Sequence, residues 1–255
     1  VLFGGHVRQL EDIEYLSAHQ FDFGEVVFRD ASARDYWSRE RVSLPRDFFL
    51  IGHGPHEGSP NDLDNLWNRY YPSLAKTVEL AAQLAVHFLT IHLWVDPRFV
   101  KPTIIREKLR FLQKILAHGQ EHNVLISLEN LSENVQDLSM VVSSVPELSL
   151  TLDIGHGELL TEKNASYGIV EELCPWIGHV HLHDNFGGKG VKDDRHLPIG
   201  AGTIEVSKIL TKILEKGYAG TLTLELDRDD LEDSLGRVRT MIRRIEQDRL
   251  NSRTN

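Results

Sequence analysis

Residues His179 to Gly202 read HVHLHDNFGGKGVKDDRHLPIGAG: a short apolar strand with alternating histidines, a glycine-rich loop carrying an Asp-Arg-His step, and a Gly-Ala-Gly turn into an amphipathic segment from Ile204. A loop this long and this polar is more than a connection, because long ordered loops in compact domains are usually functional. The stretch reads as the heart of a metal site.

Outward from it, short Val/Ile/Leu/Phe-rich runs alternate with longer stretches of helical period. Eight runs stand out: Leu2 to Gly5, Gly24 to Phe28, Phe48 to His53, Phe88 to Leu93, Val124 to Asn130, Leu148 to Asp153, His179 to Asp184 and Thr221 to Asp227. Runs buried on both faces belong to parallel sheets. Between them, Val206, Ile209, Leu210, Ile213 and Leu214 form a helical stripe, and Ile105, Leu109, Leu112 and Leu116 form another that ends near Gly119. Eight strand–helix pairs in 255 residues predict a single-domain α/β protein, a (β/α)8 TIM barrel spanning residues 1–255. A doubly wound open sheet fits less well, since the first turn, GGHVRQLED, lacks the phosphate-binding glycine fingerprint. Pro72 interrupts a helical region and predicts a kink or a break between two helices.

An apolar fraction of 41% and a charged fraction of 26% are ordinary globular values. No run is long enough to span a bilayer, and the opening residues carry no signal-peptide pattern. With Cys174 as the lone cysteine, a reducing, cytoplasmic location is expected. The net charge of −10 argues against a broad basic surface for nucleic acid.

Of thirteen histidines, His6, His53, His92, His156, His181, His183 and His196 lie at strand ends or in the loops that follow. His118 and His122, near a helix end, are read as complementing its dipole. In a barrel, chemistry gathers at the carboxyl ends of the strands. There stand His53, His92, Glu129, Asp153, His181 and Glu225, with His156, Asp194 and His196 in the adjoining loops. Singly, each has an ordinary alternative as a hydrogen-bonded core residue or a helix cap. Jointly, nine oxygen and nitrogen donors at one rim favour a site for Zn²⁺ or Mn²⁺. His183 shares a face with His181 and is open between supporting a ligand and contacting substrate; Arg195 and Trp94 are further substrate candidates, Trp94 as an apolar wall or a core residue. Glu25 and Arg29 either reach the same pocket or pair with neighbouring helices.

The motifs LEN, LDIGH, HVHLHD, DRHLPIGAG and LELD, in this order, resemble the xylose isomerase-like TIM barrel superfamily, which includes sugar isomerases and epimerases and endonuclease IV. The resemblance implies that Glu129, Asp153, His181 and Glu225 match the four ligands of the single-metal epimerases. It also implies that His53, His92, His156, Asp194 and His196 complete the nine-ligand, three-metal pattern of the nuclease. Where that nuclease has its DNA-gripping segment, this chain has GPHEGSPND, so the resemblance is weaker there.

Two chemistries follow. In the one ranked first, a metal-dependent sugar or sugar-phosphate isomerase or epimerase, one ion polarises a carbonyl while Glu129 and Glu225 act as the catalytic acid–base pair. A substrate phosphate is then expected where Gly200 and Gly202 open a helix at Thr203. In the alternative, a phosphoester hydrolase, a cluster of up to three ions activates water. A barrel that binds metal or sugar without turnover ranks last. The substrate, the ion count and the oligomeric state are not legible at this level.

Overall fold

The computed structural model describes residues 1–253. Its strands are β1 (Leu2–Val7), β2 (Phe23–Val27), β3 (Phe49–His53), β4 (Phe88–His92), β5 (Leu125–Glu129), β6 (Ser149–Asp153), β7 (Ile177–Leu182) and β8 (Thr221–Leu224). They pair in sequence order, all parallel, and β8 closes on β1, so the sheet is a closed barrel. The helices are α1 (Leu10–Ala18), α2 (Ala31–Trp37), α3 (Tyr71–Gln83), α4 (Pro102–Glu121), α5 (Val135–Ser144), α6 (Ser166–Leu173), α7 (Val206–Glu215) and α8 (Arg228–Arg253). No helix among the described residues is long and apolar enough to cross a membrane.

All eight expected runs are strands, with ends shifted by one to three residues. Each strand alternates: leucine, isoleucine and valine side chains pack outward against the helices, and the other parity turns inward. The inward set is largely polar. Thr90 on β4 bonds Thr151 on β6 at 3.0 Å, and Thr151 donates to Ser127 on β5 at 2.8 Å. A bond between the non-adjacent strands β4 and β6 can only cross the barrel interior. Below this layer Phe23, Phe49 and Phe88 close the amino end, with Phe23 and Phe88 edge-on to His179. The floor is therefore sealed and the polar contents face the carboxyl end.

On α7 the expected stripe is buried in full. On α4 the helix ends at Glu121, two residues past Gly119. Gly119 is a contact point, since a Cβ there would lie 2.5 Å from the Val124 carbonyl oxygen and 2.9 Å from Ile126. Pro72 marks the junction of two helical elements: a π-helical turn, Asn65–Tyr70, passes directly into α3, and Pro72, which has no N–H to donate, sits in the first turn of α3 where the hydrogen-bond pattern changes.

Gly119→Ala tests this packing. Alanine is ordinarily favoured over glycine in a helix interior by roughly 1 kcal/mol, but forcing a methyl into a filled contact costs about 1–3 kcal/mol. The variant is expected to unfold at lower urea concentration than the parent; a higher midpoint would contradict the close approach of α4 to β5.

Candidate metal centre

Buried at the carboxyl end of the barrel, Glu129 is met from four sides. His53 Nε2 and His92 Nε2 lie 3.2 and 2.7 Å from its Oε2. His181 Nδ1 and His156 Nδ1 each lie 3.2 Å from its Oε1. Glu225 Oε1 is shared by His6 Nε2 at 2.9 Å and His181 Nδ1 at 3.2 Å, and its Oε2 lies 3.5 Å from His196. Asp153 takes the His156 amide at 2.7 Å and the His183 imidazole at 3.1 Å. Asp194 lies 3.2 Å from His156 Nε2 and 3.3 Å from His196 Nε2. All nine donors expected from the sequence thus converge; eight of them, all but Asp153, fall with His183 into groups whose ligand atoms lie within 4.8 Å of one another: His53, His92 and Glu129; His53, His181 and Glu225, sharing His53 with the first; and, separately, His156, His183, Asp194 and His196.

The orientation of the histidines fits metal ions better than mere burial. His53, His156 and His196 each donate Nδ1–H to a backbone carbonyl, of Gly54, Asn130 and Glu225 respectively, which turns Nε2 into the centre. Such partners fix the tautomer of ligating imidazoles. His181 is reversed: its Nε2 faces Glu25 at 3.2 Å and its Nδ1 faces the centre. The His183 Nδ1 is buried with no hydrogen-bond partner. A backbone φ of +44° at His196 folds the Asp-Arg-His step back on itself, which brings Asp194 and His196 to one point.

Charge explains why so many acids survive burial together. Burial alone would raise the carboxyls of Glu129 and Glu225, yet both lie well below the usual range because imidazoles surround them. Burial alone would lower His53, but its bond to Glu129 and the nearby Glu225 and Glu25 push it up to about 9. His196 rises likewise to about 9 against burial, through Asp194 and Glu225.

Several sequence expectations need correcting. Arg195 does not line the site: it is exposed, with its guanidinium 5.5 Å from the centre of the Phe186 ring, a cation–π contact that turns it outward. His183 lines neither of the two cavities beside the centre but joins the His156 group, stacked on His196 at 4.0 Å. The amides of Gly200 and Ile204 are not free for a phosphate; both donate to the buried Asp184 carboxylate, and Thr203 N–H donates to the Asn185 carbonyl. Trp94 does line a cavity of about 370 Å³ beside the centre. Arg29 lines the smaller cup, about 160 Å³, directly over it.

The structure also places Glu25 and adds further residues. Glu25 neither pairs with a helix nor reaches the cup; it sits one layer down between His179 and His181. His56 Nδ1 stands 2.8 Å from His92 Nδ1. Next to it, Glu57 pairs with the fully buried Lys108 and accepts the Trp94 amide at 2.9 Å.

A family model described as xylose isomerase-like TIM barrel matches residues 13–247. The chain belongs to that family. An uncharacterised protein of Methanocaldococcus jannaschii is 30% identical over 233 residues, covering 84% of this chain and 77% of the relative. A probable endonuclease 4 of Thermotoga maritima is 26% identical over 160 residues, 55% of each chain. Among solved structures, a D-tagatose 3-epimerase-like protein superposes with a TM-score of 0.79 at 23% identity, covering 97% of this chain and 99% of its own. A Thermus thermophilus protein soaked with zinc chloride superposes at 0.72 with 20% identity, covering 94% and 98%. At these identities the structural likenesses speak for the fold.

Removing an outer partner of a ligating imidazole typically weakens metal binding by roughly 10–100-fold. Glu25→Gln is therefore expected to reduce zinc affinity by that order in a chelator competition while the far-ultraviolet spectrum is unchanged. Parental affinity would show that Glu25 only fills the barrel.

Proposed function

We propose that the chain is a multinuclear, divalent-metal-dependent phosphoester hydrolase. One observation carries this reading: both oxygens of Glu129 are engaged, Oε2 by His53 and His92 and Oε1 by His181, each nitrogen within 3.2 Å. An isomerase base must turn a free carboxylate oxygen toward a substrate carbon. A carboxylate flanked on both oxygens by histidines is placed to bridge ions. The isomerase ranked first from sequence is thereby moved to second place, although the meeting of Glu129, Asp153, His181 and Glu225 at one point still suits a single-ion epimerase.

The donor set divides among ions as follows. His53 and His92 with Glu129 would hold one, Glu129, Asp153, His181 and Glu225 a second, and His156, Asp194 and His196 a third, with His183 beside the last. When bound, divalent ions there would activate water and neutralise the phosphoryl and leaving oxygens. The protein's own groups do the rest. Carbonyls of Gly54, Asn130 and Glu225 hold the imidazoles in register. The cup walls bring His6, His56 and Arg29 around the volume a phosphoryl group would occupy, and Arg29 supplies a permanent positive charge. The cup is small and the chain is acidic, with a net charge of −10, so the reading favours a small phosphoester over duplex DNA.

The test offers the zinc- or manganese-loaded protein bis(p-nitrophenyl) phosphate, p-nitrophenyl phosphate, an abasic oligonucleotide and D-fructose. Phosphoester cleavage is expected, lost on the order of a hundredfold or more in Glu129→Gln. Cleavage confined to the abasic oligonucleotide would keep the chemistry and replace the small substrate by DNA. Deuterium exchange into a ketose without phosphoester cleavage would overturn the hydrolase in favour of the isomerase.

A further inference from the structure

Hydrolysis at the cup leaves the neighbouring cavity of about 370 Å³ without a role. The two spaces share His56, His92, His156 and Asp194, so one ligand can occupy both. Away from the metal centre, the cavity wall is mainly apolar, built by Trp94, Phe99, Leu131, Leu159 and Leu160, with Glu57, Ser132 and Lys189 as its polar members. A phosphate alone leaves such a wall uncovered, and a polyol or an abasic sugar offers it only narrow C–H faces, whereas a flat ring covers it. Its size is that of a ligand pocket, in which apolar walls give affinity and a few polar groups give orientation.

This wall is held open by a polar frame behind it. The Trp94 indole N–H donates to Ser132 Oγ at 2.7 Å, and that hydroxyl donates to Asp96 Oδ2, also at 2.7 Å. Arg98 grips the same carboxylate through Nε and Nη2 and donates to the carbonyls of Leu160 at 2.8 Å and Ser132 at 2.6 Å. The loops after β4, β5 and β6 are thus tied through Asp96, which is fully buried. Leu160 itself sits at a φ of +56°, a conformation a leucine rarely adopts, secured by Arg98 and by its amide bond to the Gly188 carbonyl at 2.8 Å. Trp94 and Phe99 pack with ring centres 4.9 Å apart and so present one extended aromatic surface. Collapse of the cavity would break this set of hydrogen bonds.

We propose that the cavity is a specificity pocket for a planar aromatic ring carried by the substrate, a nucleobase or an aryl group, whose phosphoester lies in the cup. The proposal rests on the phosphoester reading above. Flat π-faces stack on tryptophan and phenylalanine largely without regard to ring identity, which suits a wall with few polar contacts of its own.

Methylphosphonate and phenylphosphonate present the same kind of anion and differ in the ring, so their binding to the zinc-loaded protein by calorimetry separates cup from pocket. The parent is expected to bind phenylphosphonate at least tenfold more tightly. In Trp94→Ala that preference falls to within about twofold while methylphosphonate affinity is kept; Trp94→Phe retains it. Leu159→Ser, on a different loop and outside the Trp94 frame, is expected to lower the preference independently. Equal affinities in the parent would overturn the pocket and leave the phosphoester reading standing. Failure of both phosphonates to bind the metal-loaded protein would overturn the phosphoester reading and this proposal with it.

Discussion

Five carboxylates, Glu25, Glu129, Asp153, Asp194 and Glu225, crowd the carboxyl half of one barrel, four of them essentially out of contact with water. Burying a charge without a partner costs several kcal/mol or more even after relaxation, so cations must be supplied from within. Here they are imidazoles, and their number and placement follow from that constraint. Each acid has at least one histidine nitrogen within 3.3 Å, and Glu129 has four. The same arrangement that makes the acids tolerable presents a ready cage of nitrogen and oxygen donors.

The barrel makes the cage possible. Alternate residues of each parallel strand send apolar side chains to the helices and polar ones inward, and eight strand ends on one rim bring residues as distant as His6 and Glu225 to 2.9 Å. Precision comes from the layers around the donors: backbone carbonyls that fix three tautomers, and Glu25 beneath His181. The loops add what the barrel lacks, an aromatic wall braced by Arg98 and Asp96.

Much of this was legible in the sequence because two simple signals coincide. Apolar runs marked every strand, and donor residues at their ends marked the rim. What the sequence left open or unmarked lay away from those ends. Glu25 and His179 sit inside strands, where only parity reveals an inward direction. Lys108 hides on the apolar stripe of α4 with Ile104, Phe111 and Ile115, and its buried partner Glu57 is in an irregular segment. The Gly200–Gly202 turn has the composition of an anion site, but Asp184, sixteen residues earlier, already satisfies its amides. Arg195 had the right neighbours in sequence and the wrong direction in space, because Phe186 draws it out. Composition identifies donors; it does not say which of them the fold has already used.

The account stands or falls on how many ions this donor set holds. Native mass spectrometry of the protein purified without chelator and titrated with zinc would count them directly. Three ions per chain at the plateau is the predicted result, because Glu129 is placed to bridge two groups and the His156, Asp194 and His196 group stands apart. A plateau at one ion would contradict it.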